Sequence, residues 1–73
     1  MIQAGDRVRV LDAHGQWHEA TADSSVEGTR DGAGRKIHDF PVVWVIVDGH
    51  PDRMPWPQEA VETDPATAAH QIR

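Results

Sequence analysis

The sequence predicts one small all-β domain, a five-stranded, strongly bent barrel with a short helical turn near its C-terminus. Three observations carry this. Val8 and Val10 alternate with Arg7 and Arg9, the period of two that marks a half-buried strand. Turn signals built from Gly, Asp and Pro recur at short intervals along the chain. Val42 to Val47 is β-branched or aromatic at every position, which suits a pleated, packed surface and no helix.

Gly5-Asp6 is a turn that opens the first strand. Asp12-Ala13-His14-Gly15-Gln16 supplies the polar residues and glycine of a tight connection, so a hairpin to a second strand follows. From Trp17 to Asp23, parity separates the small Ala20 and Ala22 from Trp17, Glu19 and Thr21. The small pair faces a crowded interior and the tryptophan points outward. Ser24 to Asp39 holds Gly28, Gly32 and Gly34 among Glu27, Arg30, Asp31, Arg35, Lys36 and Asp39, and reads as a connector with a mobile tip.

Phe40 to Val47 is the strongest strand signal and the central strand, bounded by Pro41 and by Asp48-Gly49-His50-Pro51-Asp52. Arg53 to Trp56 pairs back across that turn, and Pro57 to Val61 suits one helical turn because proline is tolerated at a helix start. The domain is expected to span residues 1–64. Residues 65–73 read as a flexible tail, since Asp64-Pro65 offers a helix start but Ala66 to Arg73 has little to bury apart from Ile72.

At 73 residues the chain has room for one core. It has no cysteine, so neither a disulfide nor a Cys-based zinc site can staple it, and packing or self-association must supply the margin. The longest apolar run, Val42 to Val47, is too short to span a bilayer, and Met-Ile-Gln-Ala-Gly lacks the regions of a signal peptide. The expected location is cytoplasmic, with no membrane partner. A formal charge of -5, from twelve acids against seven bases, argues against a general nucleic-acid binder. Lys36 is the only lysine among those bases, a bias that points to a GC-rich genome such as that of an actinobacterium or one of its phages.

Gly5-Asp6, Val8, Val10, Gly15, Trp17, Ala20, Val45 to Gly49, Pro57, Glu59 and Val61 together resemble the skeleton of small SH3-like barrels, the Tudor-type and KOW-type domains among them. The likeness covers about residues 5 to 63. It implies a barrel whose relatives bind peptides, modified side chains or RNA. The chain departs from the subtypes at their diagnostic points, because it has no Tyr for a Tudor-like cage and few of the basic residues of a KOW module.

Candidate chemistry is sparse. His14 and His18 are four apart and His38 adjoins Asp39, but the first pair falls on a turn and a strand rather than a helix, so no metal site is assigned. Gly28 to Lys36 lacks the spacing and context of a phosphate loop. Ser24 and Ser25 are the only serines and sit in no nucleophile elbow, so no catalytic residue and no cofactor is expected.

The informative residues are Trp17, Trp44 and Trp56, which with one phenylalanine make up the aromatic content. Each is either a core filler or part of a binding surface. In Met54-Pro55-Trp56-Pro57 the prolines fix the backbone, which suits an anchor at the barrel end or a rigid platform. If Val8, Val10, Ala20, Ala22, Val43, Val45 and Val47 face inward, parity places Arg7, Arg9, Trp17, Glu19, Trp44 and Ile46 outward. With strands one to three side by side these make a patch of arginines over tryptophans. A one-residue slip exchanges the two faces and puts Trp44 and Ile46 in the core.

The expected function is a non-catalytic module that binds a protein or peptide, a second copy of the chain included, through Arg7, Arg9, Trp17, Trp44 and Trp56. The rival is a nucleic-acid-associated accessory protein using Arg7, Arg9, Arg30, Arg35 and Lys36 with base stacking on Trp17 or Trp44. A third reading, a phage or mobile-element protein acting on a host factor, fits the size and acidity.

Overall fold

The computed structural model describes residues 1–64; the expected tail, 65–73, lies outside the described residues. The domain is all-β. Five antiparallel strands curl into a half-barrel: β1 (Arg7–Leu11), β2 (Trp17–Ala22), β3 (Val42–Val47), β4 (Met54–Pro57) and β5 (Val61–Thr63), in the order β4-β3-β2-β1-β5. A single 3-10 turn, Gln58–Ala60, joins β4 to β5. It falls within the helical turn expected over 57 to 61, with Pro57 just before it. Among the described residues no helix is long and apolar enough to cross a membrane.

The inner face is the one that parity assigns. Val8, Val10, Ala20, Ala22, Val43, Val45, Val47 and Val61 form one buried cluster, with Ile2, Val26, Met54 and Trp56 packed on its margin. Ala20 sits between Val8 and Val47, and Ala22 faces Val45. Only small side chains fit at the middle of a sheet that curls on itself, and β2 is that middle strand. The slipped register, with Trp44 and Ile46 inside, is not the one adopted.

Two turns share one construction. Asp12 Oδ1 accepts the N–H groups of His14 and Gln16, and Gly15 takes φ +80°. Asp31 Oδ1 accepts those of Ala33 and Arg35, and Gly34 takes φ +83°. In each, the aspartate satisfies two loop donors while a glycine supplies the left-handed residue a tight reversal needs.

Three expectations change. The 24–39 segment is more than a connector: Glu27 bridges Val42 and Arg30 bridges Lys36, so it forms a small paired excursion that folds back on β3. This excursion buries Val42, although its parity is outward. The strand expected over Phe40 to Val47 starts at Val42, because Pro41 has no N–H for a ladder and its carbonyl accepts from Gln58 instead, and it lies second from the β4 edge, the central place being taken by β2. The fifth strand, which no pattern in the sequence marks, is a three-residue segment pairing Val61 with Val10 and Thr63 with Val8.

Candidate interaction surface

The outer face carries Arg7, Arg9, Trp17, Glu19, Trp44 and Ile46, and the contacts among them set its character. At one end Trp17 is 41% exposed and the Arg9 guanidinium lies 4.4 Å from its ring centroid. Arg9 Nη2 also donates to Glu62 Oε1 at 2.9 Å. In the middle Arg7 grips Asp48 through two bonds, of 2.8 and 3.1 Å, and donates to Thr21 Oγ1 at 2.8 Å. This fork holds the Asp48 carboxyl below its usual range and raises the Arg7 guanidinium.

At the other end Trp44 is half-buried under Arg53, whose guanidinium lies 4.2 Å from its ring centroid and whose Nε forms an ion pair with Asp23 Oδ2 at 3.1 Å. The His38 ring meets Trp44 edge-on at 6.5 Å, and His38 Nε2 lies 2.9 Å from Glu27 Oε1. That histidine, and next the Trp44 side chain, keep the Glu27 carboxyl below its ordinary value. The expected single patch is therefore two separate arginine-tryptophan stacks with the Arg7–Asp48 ion pair between them. Trp17 opens β2 while Trp44 pairs just beyond its last residue, where Asp23 N donates to Trp44 O, so the stacks are roughly 20 Å apart at ~3.3 Å per residue.

Trp56 belongs to the opposite face. It pairs with the buried Val43 and packs on the core cluster, and its indole N–H donates to Leu11 O at 3.0 Å. Of the two roles its prolines allow, it occupies that of anchor. Beside it, His18, Val47, His50 and Met54 line a small hollow of about 150 Å³ at the barrel mouth. His18 Nε2 lies 2.7 Å from Asp12 Oδ2, and this contact, with the Gln16 N–H, holds the Asp12 carboxyl at about 2. Among the described residues no three His, Asp or Glu side chains converge as a metal site.

Residues outside the candidate set shape a wide, shallow groove on the outer side. Ile37, His38 and Phe40 of the excursion face Pro55 and Pro57 of β4 across a groove of about 400 Å³ floored by Val42. Past Phe40 and Pro57 it continues into a hollow of about 200 Å³ lined by Pro41, Gln58 and Glu59. Ile37 and Phe40 remain 47% and 45% exposed and line the same groove. Phe40 reads as strand in the sequence, and Ile37 sits among charges, so neither announces itself. Compared with protein-family models, with the curated proteins and with the solved structures, the chain matches none of them.

Proposed function

We propose that the chain is a non-catalytic interaction module that holds a protein or peptide partner on the outer side of the half-barrel. The observation that carries this is the groove between the excursion and β4, where two half-exposed apolar side chains, Ile37 and Phe40, lie against two prolines. Apolar surface left open beside a stacked aromatic, here Trp44 under Arg53, is the composition of an interface core.

Charge favours a protein over a nucleic acid. Arg7, Arg9 and Arg53 each bond a carboxylate, so the sheet offers phosphates no free arginine among them. Of the cations on the excursion, Arg30 donates to Gly34 O at 2.8 Å and Lys36 pairs with Asp39 at 2.9 Å. The likeness to SH3-like barrels belongs to the same proposal, supported by the Gly5 turn into Val8-Arg9-Val10, Trp17 and Ala20 on β2, and the 3-10 turn before the last strand. The narrower role of a phage or mobile-element protein acting on a host factor rests on size and acidity.

The test is a pull-down from the source cell with the wild-type chain and with Phe40→Asp as baits. A protein retained by the first and lost from the second, at equal melting temperature, supports the module. Recovery of nucleic acid alone, or of the same proteins on both baits, overturns it.

A further inference from the structure

The groove also carries information about what it would hold, and this inference rests on the interaction-module reading. Its two hollows lie end to end, joined at Phe40 and Pro57. That shape admits an extended segment with side chains in successive hollows. The β4 edge beside it holds Pro55 and Pro57, which have no N–H, so an added strand would find no donor at either position. Selection must then come from side chains.

The first hollow is mixed, with Ile37, Phe40 and Val42 between the two prolines and a polar margin of Lys36, His38 and Asp39. Its one cation, Lys36, is neutralised by Asp39 at 2.9 Å. The second hollow ends at Glu59, which has no ion pair or hydrogen bond among the described residues. Among the described residues the groove therefore runs from an end whose lysine and aspartate are paired to a carboxylate with no partner. The rest of the domain adds to this sign: all twelve acids of the chain and six of its seven bases, all but Arg73, lie in residues 1–64. A surface of this polarity draws cationic segments and repels acidic ones.

We infer that the partner presents an extended segment with a bulky apolar side chain, seated between Ile37, Phe40 and Pro55, and a neighbouring lysine or arginine beside Glu59. The test uses the full chain and three acetylated, amidated heptapeptides, each with two leucines and differing at one position, arginine, glutamine or glutamate. Backbone amide shifts map where each binds. The arginine peptide is expected to move the signals of Ile37, Phe40, Gln58 and Glu59 and to bind about two- to fivefold more tightly than the glutamine peptide, the range of one exposed ion pair. Glu59→Gln should erase that preference, and Phe40→Ser should weaken all three peptides while leaving the fold intact.

Equal binding by all three peptides at the groove overturns the cationic partner and leaves the groove as a docking site. A preference that survives Glu59→Gln overturns the assignment of Glu59. Shifts confined to other surfaces, or none with any peptide, overturn the groove itself and with it the module reading.

Discussion

The indole N–H of Trp56 on β4 donates to the carbonyl oxygen of Leu11 at the end of β1, across 3.0 Å. These strands are not neighbours in the sheet, since β3 and β2 lie between them. The bond therefore spans the hollow of the half-barrel and fixes how far the sheet curls. Trp56→Phe keeps most of the ring but leaves Leu11 O without this donor, and should cost about 1 to 2 kcal/mol in urea unfolding. Trp56→Ala also opens the barrel end and should cost about 3 to 5 kcal/mol. A loss under about 1 kcal/mol for the alanine variant would show that the ring does not brace the core.

Trp17 and Trp44 should separate in the same experiment. Trp17 is outside the core cluster and gains mainly from Arg9, so Trp17→Ala should cost under about 1 kcal/mol. Trp44 is enclosed by Arg53 and His38, and Trp44→Ala should cost roughly 2 kcal/mol, short of the 3 to 5 expected of a fully buried ring. A cost in that upper range would make Trp44 a core residue and remove it from any binding face.

Two carboxylates set opposite pH dependences. Asp12 is depressed to about 2 from 3.8, first by His18 and then by the Gln16 N–H. Its contribution is complete above the unfolded value and is lost as pH falls from about 4 through about 2. Asp12→Asn keeps the turn's acceptor oxygen but not the charge, so the melting temperature of that variant should fall less than wild type over this acid range.

Glu19 runs the other way, raised chiefly by its hydrogen bond with Asp64 and next by burial. A carboxyl raised in the folded state favours folding below its unfolded value, and that gain disappears as pH rises through the folded value. Glu19→Gln retains a donor toward Asp64 at every pH and removes one of two facing charges. It should raise the melting temperature at neutral pH and give no gain near pH 4; a loss at neutral pH would mean that attraction to Arg7 outweighs the Asp64 contact.

The glycines divide by backbone geometry alone, since a Cβ built on any of them meets nothing within 4 Å. Gly15 and Gly34 hold φ near +80°, and alanine there should cost roughly 1 to 2 kcal/mol. Gly28 and Gly32 have no positive φ, so alanine should be neutral or stabilise by about 0.5 kcal/mol through the unfolded chain. Equal effects at all four sites, by thermal unfolding, would mean that turn geometry does not control stability here.

Some of this could have been read further. Asp12-Ala-His-Gly15 and Asp31-Gly-Ala-Gly34 repeat one turn at equal spacing, and the second copy marks the excursion as a paired hairpin rather than a connector. The charges around it, with no alternating apolar residues, hid that signal. Arg53 as the partner of Trp44 had no such trace. It lies nine residues on along the chain, and the β3–β4 turn alone decides that its guanidinium folds over that ring.

By itself the sequence determined the all-β class and the inner faces of β1 and β2, because side chains alternate with a period of two and one parity gathers Val8, Val10, Ala20 and Ala22. For β3, apolar on both faces, it left two parities open, which the pairing of Val45 with Ala22 and Val47 with Ala20 settled in favour of Val43, Val45 and Val47. It left Trp56 undecided between its two roles: four residues holding two prolines have no apolar rhythm to point the ring, and the curl that brings Leu11 within reach is a property of the whole sheet. The groove is likewise tertiary. Ile37 and Phe40 meet Pro55 and Pro57 only because β4 pairs with β3 while the excursion folds back onto it, a juxtaposition set by long-range pairing and invisible to any local pattern.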